Sequence, residues 1–539
     1  MRSTPYSEGD PASKICFIAE APSTFEVMHS KPLVGPSGKV HNDLLREAGI
    51  IRATCSTVNV LKHKIKDTKP WINGKGQLTE KGQQAARELK ARLGGYKANI
   101  YVPLGNLALA CMTGHGQITK HRGSVYGSTL LAGRKVMGTF HPASVLPGRG
   151  PYINRYSIVS DYRKAVRECE YPEIRRKERT LVINPTFAQV DAFLERMLHP
   201  NGTTFGCDIE CLNDEVSCIA FALSDTLAIC IPLYGDCWAE DEEAYIWHKI
   251  AKIFAHRKNV AIFHNAMFDT SFMWLQNNVR FHCKLVCTMI AHRILYPDFS
   301  AKLEFVCSNY TDMVYYKDDK KIWSKPWVDP NQFYRYNARD AVCLPDIWPA
   351  LDHELAANPA LQWTYNETMS NFEACLYMMS RGIQLDIGVL NTVKKQVEGE
   401  LDDKIKELEA ASDYEFSATS PKQCVEYFYE HKGIAPYTDR KTRKPTTDDK
   451  AMSRIFRKFE LPEARLVQEV RALRKLLGTY LEVEYDEDRR LRCFYDPRGT
   501  TSGRLSSSKT IFDKGLNFQN LDPRFKGFLV PDALEASDG

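Results

Sequence analysis

The chain has 539 residues, 43% of them apolar and 26% charged, with a formal charge of +5. That length exceeds what one hydrophobic core organises and points to three or four domains, while the nearly balanced charge neither demands nor excludes nucleic acid, because a basic groove can sit inside a neutral total. No run of about eighteen apolar residues is present, which argues against a membrane-spanning helix, and the polar start Met1–Lys14 does not read as a signal peptide. The sixteen cysteines include no CxxC pair; the nearest spacings are Cys207/Cys211 and Cys283/Cys287. They read as reduced core thiols rather than disulfides or zinc ligands.

In chain order, three sections separate by pattern. The first runs to about Cys169 and alternates short apolar runs, Ile15–Ala19, Ile100–Pro103 and Lys135–Phe140, with helical stretches at Asn42–Ala48 and Asn106–Met112. This is an α/β layer pattern. The charged stretch Glu173–Arg179 reads as a linker or solvated helix end. A second α/β section, about 180 to 350, opens with a predicted hairpin, Thr204–Ile209 and Ser217–Leu223, followed by strands at Leu227–Pro232 and Val260–Phe263. From about 351 the pattern becomes helical, with apolar residues three and four apart through Leu376, Met379, Ile383 and Leu390, and again through Leu466, Val470, Leu473 and Leu477. The β-like piece Leu491–Tyr495 then precedes the Gly-rich segment Gly499–Leu505.

The second section carries the clearest chemistry. Asp208 and Glu210 are two apart on a predicted strand, so both carboxylates face one side while Cys207 and Ile209 point into the sheet. Asp269 closes the segment His264–Asp269, just after the strand Val260–Phe263. Tyr336 and Asp340 are four apart and share one face of a helix. Carboxylates converging on one small volume suit hydrolysis of a phosphodiester with two metal ions, and magnesium prefers oxygen ligands. Asp340 can hold a metal while the Tyr336 hydroxyl orients the attacking water. Any one of these pieces alone is a weak signal; all of them in order within one α/β section are not. The set resembles the DEDDy exonuclease superfamily across the whole section. The resemblance implies a ribonuclease H-like domain that trims a single-stranded 3′ end in the 3′→5′ direction, with Asp208, Glu210, Asp269 and Asp340 holding two Mg²⁺ (or Mn²⁺) ions. Glu210 would also touch the 3′ hydroxyl.

The third section contains Gly499-Thr500-Thr501-Ser502-Gly503-Arg504-Leu505-Ser506-Ser507-Ser508 and then Asn517-Phe518-Gln519-Asn520. Helix starts are predicted at Ser420-Pro421, with proline at the first helical position, and at Thr446-Thr447-Asp448. From about 360 onward this section is similar to family A DNA polymerases, in the "TGRLSS…NLQN" signature, the helix around Arg471–Tyr480 and Phe528–Pro531. Arg504, Ser506 and Ser507 suit phosphate contact without sequence reading. The basic loop Asp439–Pro445, with Arg440, Lys441, Arg443 and Lys444, either grips the primer–template duplex or is a solvated connection. The resemblance implies a mostly helical thumb and the start of a palm. The catalytic aspartates and the nucleotide-binding helix of that family would follow Pro531, so the expectation is a chain truncated before them. It would not polymerise alone and would need a separate polypeptide carrying palm and fingers.

In the first section, Ile18-Ala19-Glu20-Ala21-Pro22, Lys31–Gly38, Val58-Asn59-Val60-Leu61-Lys62, His121-Arg122-Gly123 and Thr139-Phe140-His141-Pro142-Ala143 occur in order. Over about 14 to 168 these resemble the uracil-DNA glycosylase superfamily, which flips a base into a pocket and reads its edge. The resemblance implies an α/β sandwich in which Glu20 handles the water, Asn59 pairs with the uracil edge and His141 stabilises the leaving base as a donor. Leu33 stands where the family has a stacking aromatic, and an aliphatic chain gives no stacking contact. The iron–sulfur branch of the family uses four cysteines including a CxxC, and His63 stands where one ligand would be, so no cluster is expected. An active glycosylase and a retired fold that binds DNA both stand. Lone histidines such as His256 and His292 read as core or surface residues. The aromatic-rich run Tyr310–Trp327 reads either as the path of an unpaired strand or as core.

The expected arrangement is therefore a multidomain α/β protein: a glycosylase-like domain at 1–172, an exonuclease domain at 180–352, and polymerase thumb with the start of palm at 353–539. Its expected role is in DNA replication, as the N-terminal part of a polymerase. Fusions of this kind resemble those of some large bacteriophages, which would place the chain in the cytoplasm of a bacterial host. Two alternatives remain: a stand-alone nuclease on DNA or RNA, and a non-enzymatic DNA-binding scaffold for a separate palm–fingers polypeptide.

Overall fold

The structure, a computed structural model, describes residues 7–319, 330–500 and 502–531. The chain forms two compact units, Met1–Met369 and Ser370–Gly539. Among the described residues, no helix is long and apolar enough to cross a membrane.

The first unit holds two six-stranded sheets. In the first, β1 (Ser7–Glu8), β2 (Ile15–Ala19), β3 (Cys55–Asn59), β4 (Ile100–Pro103), β5 (Val125–Gly127) and β6 (Lys135–Met137) lie in the order β1-β3-β2-β4-β6-β5. The four central strands are parallel and the two edges antiparallel. Strands β2, β3 and β4 are buried along their whole length, as expected of parallel strands covered on both faces. Phe17, Ala19 and Val102 pack with Leu44, Ile158 and Tyr162 from helices Pro36–Glu47 and Asn154–Glu168. The alternate residues Cys16, Ile18 and Tyr101 pack with Leu89, Leu107 and Met112 from helices Glu80–Leu93 and Asn106–Thr113. The predicted strand Lys135–Phe140 ends at Met137, beyond which only Thr139 makes an isolated bridge, to Leu104.

The second sheet has the order β12-β11-β8-β9-β10-β7, from β7 (Thr180–Val182), β8 (Thr204–Leu212), β9 (Glu215–Ser224), β10 (Leu227–Pro232), β11 (Val260–Phe263) and β12 (Lys284–Cys287). The predicted hairpin is β8–β9. Its turn, Asn213-Asp214, has φ of 50° and 62°, the two left-handed residues that a tight hairpin with native twist requires. The register shifts between Glu210 and Cys211, a bulge in the strand that carries the acidic pair. Lys177 and Arg179 of the predicted linker form no regular element but are tied down: Lys177 pairs with Asp225 and Asp346 at 2.5 Å each, and Arg179 with Asp346 at 3.0 Å.

The second unit is mostly helical. Leu390, Val397, Leu401 and Leu408 along helix Ile387–Ala411 share one core with Val467, Val470 and Leu473 of helix Pro462–Lys475 and Ile455 of helix Asp449–Phe459. Both predicted helix starts are present, capped by Ser420, which accepts from the Gln423 N–H, and Asp448, which accepts from the Ala451 N–H. Ile383 is not helical as its spacing suggested: the chain leaves the helix at Arg381, and Ile383 lies in β13 (Ile383–Leu385), between β14 (Arg490–Leu491) and β17 (Leu529–Val530). The predicted piece Leu491–Tyr495 divides between β14 and β15 (Phe494–Asp496), which pairs with β16 (Ser506–Ser508).

One close approach brings the second sheet's cover helix, Pro330–Val342, onto β8. A Cβ on Gly206 would lie 2.5 Å from the Ala341 carbonyl oxygen, with Leu344 and Pro345 also crowding it. Gly206→Ala should therefore push strand and helix apart and lower stability by about 1–3 kcal/mol, the usual cost of overpacking. Urea unfolding of the two proteins measures it.

Candidate functional site: an acidic cluster on the second sheet

Asp208 and Glu210 lie in the middle of β8, opposite Ala220 and Cys218 of β9, and Cys207 and Ile209 are buried on the other face. Asp269 sits in the first turn of helix Ala266–Asn277, directly after β11, where the left-handed Asn265 (φ 74°) turns the chain from strand to helix. Its Oδ1 accepts the Ile209 N–H at 3.2 Å, which ties it to β8. Tyr336 and Asp340 are both buried on helix Pro330–Val342. Carboxylate oxygens of Asp208, Glu210 and Asp340 lie within 4.8 Å of one another. Burial, then the charges of Asp340, Asp269 and Glu210, pushes the Asp208 carboxyl well above its usual range; burial chiefly does the same to Asp269. Such a donor set, all oxygen and mutually repulsive, fits hard divalent cations.

Sequence reasoning missed three further groups. Asn337 donates from Nδ2 to the Asp208 carboxylate at 2.7 Å and to the Asp208 carbonyl at 3.2 Å, holding strand and helix together at the site. The Tyr316 hydroxyl donates to Asp340 Oδ1 at 2.5 Å. The Lys317 ammonium forms an ion pair with Asp340 and lies 3.0 Å from the Tyr336 hydroxyl. Asn337 falls inside the segment Tyr336–Asp340 and was open to recognition there. Tyr316 and Lys317 belong to the aromatic-rich run, whose residues beyond 319 to Trp327 lie outside the described residues. Beside the cluster, a cleft of about 420 Å³ is lined by His264, Arg293, Lys302, Lys317 and Tyr336.

On the first sheet, Glu20 and Asn59 stand at the carboxyl ends of the neighbouring strands β2 and β3, and His141 follows β6. The Glu20 carboxylate rests on Gly105, whose φ of 94° and missing side chain leave room for it, and accepts the Leu107 N–H at 2.8 Å. Burial raises its carboxyl to about 7. Burial lowers the His141 imidazole to about 4, so it is neutral near pH 7; its Nδ1 accepts the Ala143 N–H at 3.1 Å, which leaves the proton on Nε2. Leu33 is 1% exposed with φ 51°, and its N–H is bonded to Glu26, so it packs in the core. Arg122 is also buried, paired with Asp161. The His63 ring lies 6.0 Å from the Trp71 ring.

In the second unit, Arg504 is exposed and its N–H donates to Thr500. Ser506 lies on β16 opposite Asp496. Ser507 departs from its expected role at a phosphate: it is 7% exposed, and its Oγ accepts the Phe518 N–H at 2.9 Å, fastening β16 to the Asn517–Asn520 turn. Lys441 and Arg443 are exposed on a turn that the Asp439 carboxylate closes by accepting the Lys441 and Thr442 N–H groups.

Three sequence families match the chain in tandem: the uracil DNA glycosylase superfamily over residues 6–157, 3'-5' exonuclease over 189–356 and DNA polymerase family A over 388–525. The Type-4 uracil-DNA glycosylase of Thermotoga maritima is 31% identical over 160 residues, which cover 29% of this chain and 79% of that protein. The DNA polymerase of Escherichia phage T5 is 25% identical, over 51% of this chain and 35% of its own length. That of Bacillus phage SP01 is 20% identical, over 93% of this chain and 62% of its own length. The chain thus spans about a third of the first of these polymerases and under two thirds of the second. A solved structure, the POL domain of Pol1 from M. smegmatis in complex with DNA primer-template and dNTP, shares the fold at a TM-score of 0.50 and 18% identity, covering 65% of this chain and 57% of that one. The chain is a fusion that belongs, through its first module, to the uracil-DNA glycosylase superfamily. Its remainder matches the 3'-5' exonuclease and DNA polymerase family A models over residues 189–356 and 388–525.

The upward shifts at Asp208 and Asp269 carry a sign. A carboxylate raised in the folded state costs stability where it is ionised, and the cost fades as pH falls through the raised value. In EDTA at neutral pH, Asp208→Asn, whose amide oxygen can keep the Asn337 bond, should melt above the wild type, and the gap should narrow as the pH is lowered. A lower melting temperature would mean the cluster is not repulsive.

Proposed function

We propose that the second section hydrolyses DNA from the 3′ end as a proofreading exonuclease, with Asp208, Glu210, Asp269, Tyr336 and Asp340 as its site. The observation that carries this reading is the convergence of Asp208, Glu210 and Asp340 oxygens within 4.8 Å beside a tyrosine hydroxyl. Two Mg²⁺ (or Mn²⁺) ions held by the four carboxylates would activate water and stabilise the leaving 3′ oxygen. The protein's part is positional. β8 holds Asp208 and Glu210, the Ile209 N–H aims Asp269, and Asn337 fixes Asp208. Tyr336 OH stands where it can orient the water for in-line attack, and the cleft lined by Arg293 and Lys302 can take the strand's phosphates.

The three-part division at 1–172, 180–352 and 353–539 is supported by the order of the matched families. In this reading the third part grips the primer–template duplex through Arg504, Ser506, Lys441 and Arg443. The phage relatives support placing the protein in the cytoplasm of an infected bacterium.

Incubated with Mg²⁺ and a 5′-labelled single strand, the chain should yield a ladder shrinking from the 3′ end. Asp208→Ala/Glu210→Ala should lose at least about 100-fold in rate, since even outer-shell partners of metal ligands cost 10–100-fold. Equal digestion by wild type and the double variant would assign the nuclease elsewhere.

A second reading, uracil excision by the first module, is favoured by the pairing of Glu20, raised to about 7, with a neutral His141 that carries its proton on Nε2. Glu20 would accept a proton from the water and His141 would donate to the departing base. Excision of uracil from a labelled strand should rise with pH through about 7, as Glu20 ionises, and vanish in Glu20→Ala. No excision across that range would leave the module a DNA-binding role.

A further inference from the structure

The segment from the last turn of helix Leu303–Tyr310 to Asp318 faces two ways. On one side it is fastened to the glycosylase-like module. Arg122 donates to Ser308 Oγ at 3.1 Å and Asn309 Oδ1 at 3.2 Å while pairing with Asp161. The buried Lys164 ammonium donates to the Ser308 and Thr311 carbonyls at 3.0 and 2.9 Å. Lys120 holds both Asp318 oxygens at 2.9 Å, and Tyr315 meets the His121 ring at 5.1 Å. On the other side, the residues between these anchors reach the acidic cluster: Tyr316 bonds Asp340, and Lys317 pairs with Asp340 and lies 3.0 Å from Tyr336 OH. Tyr315 and Asp318 therefore point to the first module while Tyr316 and Lys317 point into the site.

We propose that Lys317 is a positioning residue of the exonuclease, which holds the Tyr336 hydroxyl in place for the attacking water, and that the glycosylase-like module forms part of the exonuclease by pinning the strap that carries Lys317. The proposal rests on the exonuclease reading above. An ammonium at 3.0 Å donates to the phenol oxygen and leaves its O–H free to point at the water. The anchors explain what a glycosylase fold contributes whether or not it excises uracil: Arg122 and Lys164 spend buried charge on the strap rather than on a base pocket.

The test is single-turnover digestion of a 5′-labelled strand, with Asp208→Ala/Glu210→Ala as the blank. Lys317→Ala should lower the chemical rate by about 10–100-fold, the range for groups that orient a metal site's first ligands, with strand affinity in EDTA unchanged. Lys317→Arg should recover part of the loss. In a Tyr336→Phe background the same Lys317→Ala change should cost little more, because the two act as a unit. Lys120→Asp and Asp318→Lys should each slow the enzyme and speed chymotryptic cutting at Tyr315 or Tyr316, with little change in melting, since a half-exposed pair contributes about 1 kcal/mol at most; together they should restore both rate and protection. A Lys317→Ala enzyme at wild-type rate, or Lys317 and Tyr336 losses that multiply in full, would overturn the positioning role. A charge swap that restores neither rate nor protection would overturn the pinning. If the wild type itself digests nothing, the exonuclease reading falls and this proposal with it.

Discussion

Carboxylates held within 4.8 Å of one another in a buried site repel, and that repulsion is the constraint the second sheet is built to withstand. Strand β8 bears it through its pairing: β11 holds its start at Thr204–Gly206, and β9 pairs with Asp208 and Glu210 themselves, which opposes local fraying. The bare backbone of Gly206 admits the helix that brings Asp340 close, and donors are placed on the acids themselves: the Ile209 N–H on Asp269 and the Asn337 amide on Asp208. The free energy stored in the cluster is what a divalent cation would release on binding, so affinity for metal and strain in its absence are two sides of one arrangement.

The two sheets of the first unit use their strands differently. The first follows the rule of open parallel sheets, in which function gathers beyond the carboxyl ends of the strands; Glu20, Asn59 and His141 are all there. The second keeps its acidic pair inside a strand and places only Asp269 after one. A bulge follows Glu210, where the ladder is re-aimed towards the Asn213-Asp214 turn.

Between the two sheets, charge is spent on structure as well as on chemistry. Arg122, Lys164, Lys177 and Arg179 all hold segments of the unit in place through carboxylates or carbonyls. The buried ones, Arg122 and Lys164, add little net stability, because desolvation offsets attraction, but they specify one docking of the segments they join. Arg122 and Lys164 join the segment whose Tyr316 and Lys317 contact Asp340.

Much of this was legible in the residues. Period-two placement of Asp208 and Glu210, period-four placement of Tyr336 and Asp340, and apolar runs at β2, β4, β10 and β11 depend only on local backbone geometry, and local geometry is written in neighbouring residues. The spacing rule failed at Ile383, where a helical period ran on past Arg381 although pairing with Leu491 and Val530 places the residues that follow in a strand. Partners distant in sequence were not legible: Lys317 on Tyr336, Arg122 on Ser308, Ser507 on Phe518, Leu33 turned into the core. A side chain's chemistry limits what it can bond, but which partner it meets is decided by the packing of whole elements. The sequence by itself determined the families, the order of modules and the acidic residues, because these follow from residue type and short spacing. Only the tertiary structure decided which polar groups hold those acids, because those choices are made between segments many residues apart.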